Sequence, residues 1–110
     1  MSSDKEEIVE TIVRVVERTK AWRETLVTKY PNDKRNSRAA EALAMLAVEA
    51  PSLTDEQFRE LEPHFNTWDS ERWRNALNEA ARSVAFHNRT RDLAAFVNVV
   101  LQNLTRAVAA

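Results

Sequence analysis

The chain contains no glycine, and this narrows its folding options more than any other feature. Tight hairpin turns of the primed types need positive φ at a central residue. Phosphate-cradling and dinucleotide-binding loops need close backbone approach. Glycine supplies both, so its absence argues against P-loop and Rossmann nucleotide-binding enzymes and against most small β proteins. Helices need no such positions, and asparagine can stand in at their left-handed ends. Asn36, Asn66 and Asn88 fall where helices are expected to end.

Hydrophobic spacing points the same way. A helix is expected over residues 4–29, opened by a Ser3/Glu6 capping box and closed by Tyr30-Pro31, because the residue before proline avoids the α region. Ile8, Ile12, Val15, Thr19, Trp22 and Leu26 recur at alternating spacings of four and three and form its inward stripe. Val9, Val13, Val16 and Val27 form a second stripe beside it. Together they cover about half the circumference, where one core needs a stripe only somewhat over ~100° wide. At about 39 Å the helix is also long for a chain of 110 residues, whose radius of gyration should be about 13 Å.

Four further helices complete the reading. Ser37 is expected to cap a second over residues 37–49, rich in alanine, apolar nearly all round and therefore central. Thr54 and Gln57 make a capping box for a short third helix, with Leu53 and Phe58 as a hydrophobic staple. That helix is expected to kink or end at Pro63. A fourth faces inward with Trp73, Ala76, Leu77, Ala80, Ala81 and Val84. A fifth, over residues 91–107, does so with Leu93, Phe96, Val97, Val100, Leu101, Leu104 and Val108. The expected fold is all-α: one domain over residues 1–110, a bundle of about five helices with a long first and a short third.

The residues give little support to catalysis. The chain has no cysteine, which removes disulfides, thiolate metal sites and cysteine nucleophiles. Its two histidines, His64 and His87, belong to no Glu-x-x-His or His-x-x-x-His pair of the kind that binds metal in helical cores. Ser83, His87 and Asp92 are residue types used in nucleophilic catalysis, but they are local in sequence and no oxyanion loop accompanies them. No catalytic residue, metal ligand or cofactor site is assigned, and the sequence favours a non-enzyme.

Charge is banded along the chain. Net charge is −1, distributed as −3 over residues 1–13, +5 over 14–38, −7 over 39–71 and +4 over 72–110. The helices around Ala50-Pro51 superficially resemble a helix-turn-helix. The would-be recognition helix, however, carries Asp55, Glu56, Glu60 and Glu62 against Arg59, and phosphates would repel it. The better candidates for nucleic-acid contact are Arg35 and Arg38 in one cluster, and Arg82, Arg89 and Arg91 in another.

Partner binding is the leading expectation. The excess apolar width of the first helix coincides with off-phase apolar residues elsewhere: Met45, Val48, Phe86 and Val99. Val9, Val13, Val16 and Phe86 are the candidate partner-binding residues. A homo-oligomer, as a dimer with its seam along the first helix, is the simplest form, or else another protein is the partner. A nucleic-acid-binding subunit of a larger nucleoprotein complex is the alternative. The opening Met-Ser-Ser-Asp-Lys-Glu-Glu does not resemble a secretory signal and no apolar run is long enough for a membrane span. A cytoplasmic protein without membrane contact is expected.

Overall fold

The computed structural model describes residues 3–65, 70–83 and 93–109. Over these residues the chain is helical apart from short connections at 30–33 and 53–54, with no strand. The helices are α1 (Ser3–Lys29), α2 (Lys34–Glu49), α3 (Asp55–Phe65), α4 (Ser70–Ser83) and α5 (Leu93–Ala109), with one 3-10 turn at Ala50–Ser52. The expected all-α bundle with a long first and a short third helix is the fold observed.

The centre of the bundle is α1, which packs against α2, α3, α4 and the 3-10 turn. Ile8, Ile12, Val15 and Val16 face the core, followed by Thr19 and Arg23. The stripe therefore runs to Arg23 and leaves Trp22, expected to point inward, 46% exposed. A strict alternation of four and three averages 3.5 residues per turn, whereas the helix turns every 3.6. Over the two heptads from Ile8 to Trp22 the drift is about 40°, which carries Trp22 toward the edge of the buried stripe and leaves Arg23 nearer its middle. The molecule is elongated, at 44 × 33 × 21 Å, and α1 spans about 40 Å. Its length is accommodated without a partner.

The central place expected for α2 is not observed. Ala39, Ala40, Ala42, Leu43 and Leu46 are buried, but Met45 is 48% and Val48 79% exposed. Alanine makes a helix read as apolar without supplying the bulk that would hold it on several sides. The helix also begins earlier than expected. Asp33, not Ser37, is its cap: the carboxylate accepts a hydrogen bond from the Arg35 backbone N–H at 3.1 Å. Asn36 consequently lies in the first turn, buried. No described residue has positive φ, so Asn36 is no left-handed substitute for glycine.

The capping box of α3 forms as expected. Gln57 N–H donates to Thr54 Oγ1 at 3.1 Å, and Thr54 N–H to Gln57 Oε1 at 2.9 Å. Leu53 is buried beside the half-buried Phe58. The helix continues through Pro63 to Phe65, whose ring meets Trp73 edge-on at 5.6 Å. In α4, Trp73, Ala76, Leu77, Ala80 and Ala81 are buried as expected. So are Leu93, Phe96, Val97, Val100 and Leu104 in α5.

Two bonds hold α4 and α5 antiparallel. Arg72 Nη2 donates to Leu104 O at 2.8 Å, and Asn103 Nδ2 to Ala76 O at 3.3 Å. Glu49, at the end of α2, accepts from Leu93 N–H at 3.3 Å. This carboxylate sits at the positive end of the α5 dipole and ties the C-terminus of α2 to the start of α5.

Candidate partner surface

The expected partner residues separate by depth. Val16 is 0% exposed and belongs to the core. It is removed from the seam, because its side chain already packs against its own chain. Val9 and Val13 rest against the core cluster but stay half-buried. Phe86 lies outside the described residues, as do His87, Arg89 and Arg91. Of the other off-phase residues, Met45 and Val48 are exposed, while Val99 packs against the core.

Val9 lines a groove of about 370 Å³ together with Lys5, Glu6, Glu10 and Pro51. Two elements build it: the first turns of α1 and the proline that ends α2. Lys5 is held at one side, where its Nζ donates to Asp55 Oδ1 at 3.0 Å. That bond and the Lys5 charge hold the Asp55 carboxyl below its ordinary pKa of 3.8.

The opposite end of α1 carries a feature that the periodicity hid. Arg18, Trp22, Thr25 and Lys29 are all exposed and recur at helical spacing along one ridge. The Arg23 guanidinium lies 4.5 Å from the Trp22 ring centroid, within cation–π range. Arg23 is itself buried, and its Nη1 donates to Asn36 Oδ1 at 2.9 Å. Burial, with a lesser contribution from nearby Arg35, lowers the Arg23 pKa, and Asp33 acts the other way. At the turn between α1 and α2, Tyr30 is 52% exposed with Lys29 Nζ 5.6 Å from its ring.

Among the described residues, the nucleic-acid candidates Arg35, Arg38 and Arg82 are not gathered at one place. Arg35 grips its neighbour: its Nε and Nη2 donate to the two Asp33 carboxylate oxygens at 2.9 and 2.8 Å. Arg38 is exposed at the start of α2. Arg82 is exposed at the end of α4. That end lies with the start of α5, which Glu49 ties to the far end of α2. Two of the nucleic-acid candidates, Arg38 and Arg82, are thus placed toward opposite ends of α2.

Among the described residues no group of three or more His, Asp or Glu side chains is placed to hold a metal ion. No described helix is long and apolar enough to cross a membrane. No family model, curated protein or solved structure matches this chain.

Proposed function

We propose that this protein is a non-enzymatic interaction module that associates with copies of itself through α1. The carrying observation is the state of Val9 and Val13. Ile8, Ile12 and Val16 beneath them are at 0% exposure, yet both valines remain partly open, and Val9 lines a groove. Removing that remaining apolar surface from water favours association. The groove edge also carries charged side chains, Lys5, Glu6 and Glu10, which can pair with charges on a second copy and set the register of the contact. Nucleic-acid binding has weaker support, because Asp33 occupies Arg35 and the candidates Arg38 and Arg82 lie toward opposite ends of α2.

The test compares the wild type with a Val9→Glu/Val13→Glu variant by size-exclusion chromatography with light scattering, with circular dichroism to establish that both are folded. The reading expects a wild-type mass above one chain and a folded variant at one chain. A wild type that elutes as a single chain at every concentration overturns it.

A further inference from the structure

The exposed ends of α1 differ in kind. One is a groove lined by Val9 and Pro51 together with Lys5, Glu6 and Glu10, the two glutamates exposed. The other is a ridge on which Arg18 and Lys29 flank Trp22. Trp22 is 46% exposed yet not loose, since the buried Arg23 guanidinium covers one face of its ring. Asn36 in turn fixes that guanidinium. An aromatic held this way loses little further freedom on binding, and tryptophan is enriched among residues that dominate interface energies. The groove, at about 370 Å³, is at the small end of ligand-sized sites and suits one large side chain.

We propose that the two ends of α1 dock on each other between copies, with Trp22 of one chain seated in the Val9–Pro51 groove of the next. This rests on the self-association proposed above and specifies its geometry. The Trp22 ring meets Val9 and Pro51, while the cations flanking it meet a groove in which two carboxylates, Glu6 and Glu10, outnumber one cation, Lys5, already bonded to Asp55. Trp22 and Val9 lie about 20 Å apart along α1 and about 140° apart around it. The buried stripe of α1 lies between these flanks, so one helix cannot offer both to the α1 of one neighbour. The contact is heterologous: each copy gives its ridge to one neighbour and its groove to another, and the assembly closes into a ring or extends as a chain.

The test mixes two defective proteins and follows mass by sedimentation velocity. Trp22→Ala removes the ridge anchor and leaves the groove. Glu10→Arg, at an exposed position, sets a cation where the arriving cations must sit and leaves the ridge. Val9→Glu provides a second groove variant. Each variant alone should associate at least about ten-fold more weakly than wild type. A mixture of Trp22→Ala with either groove variant should form a one-to-one pair that grows no further, because each supplies what the other lacks. If the wild type associates but the mixture forms no pair, the head-to-tail geometry is overturned while self-association through α1 stands. If the wild type remains a single chain, both are overturned.

Discussion

Arg23 reaches from α1 to Asn36 on α2 and donates to its amide oxygen at 2.9 Å, with both side chains buried. This bond fixes how the two helices meet at the end of the hairpin. Replacing Asn36 by Ala removes the acceptor from a buried charged donor, which costs about 2–3 kcal/mol. A lowered urea midpoint at unchanged slope is the expected observation. Replacing both partners by apolar residues of similar size, Arg23→Met with Asn36→Leu, should recover most of that loss.

Neither residue of that pair was legible as a core position. Arg23 follows Val16 and Thr19 at the spacings of a buried stripe, but a charged side chain outweighs spacing when a core is read from composition. Trp22, large and apolar, fits the same stripe by composition and displaces it. Ser37, itself a good capping residue, hides the place of Asn36 inside the helix. Asp33, three residues before Asn36, was the available signal for an earlier start. What was legible had strong local determinants: the Tyr30-Pro31 stop, the Thr54/Gln57 box and the inward faces of α4 and α5. What was not legible depended on which neighbours a helix meets, as with the exposed outer side of α2.

The two neighbouring flanks of α1 should respond oppositely to charge. Val16→Glu buries a carboxylate in a closed core and should prevent folding or cost several kcal/mol. Val13→Glu keeps its new charge within reach of solvent and should retain the helical circular dichroism spectrum and cooperative melting. Thermal unfolding of the two variants side by side checks this ordering.

Acid should weaken the start of α2 through Asp33. Hydrogen bonds from the Arg35 side chain and then from its backbone N–H lower the Asp33 pKa from 3.8 to about 2. A lowered carboxyl pKa contributes stability that is present above the unfolded value and lost as pH falls through the folded one. The loss therefore falls between about pH 4 and pH 2, and it is modest because the pair is exposed. Asp33→Asn keeps a capping acceptor but does not titrate. Its urea midpoint should fall less steeply than wild type through that window.

The outward face of α2 should tolerate charge. Val48 is 79% exposed, so Val48→Lys should change stability by no more than about 0.5 kcal/mol. Leu43→Ala, one to two turns earlier and fully buried, should cost about 2–5 kcal/mol. Chemical denaturation of both variants separates a helix with one buried face from one buried all round.

Self-association through α1 is tested most directly by sedimentation equilibrium of the wild-type protein, from low micromolar to the highest soluble concentration. The expected result is a weight-average mass that rises above that of one chain and falls back when Val9 and Val13 are both replaced by Glu. A mass equal to one chain across the whole range contradicts it.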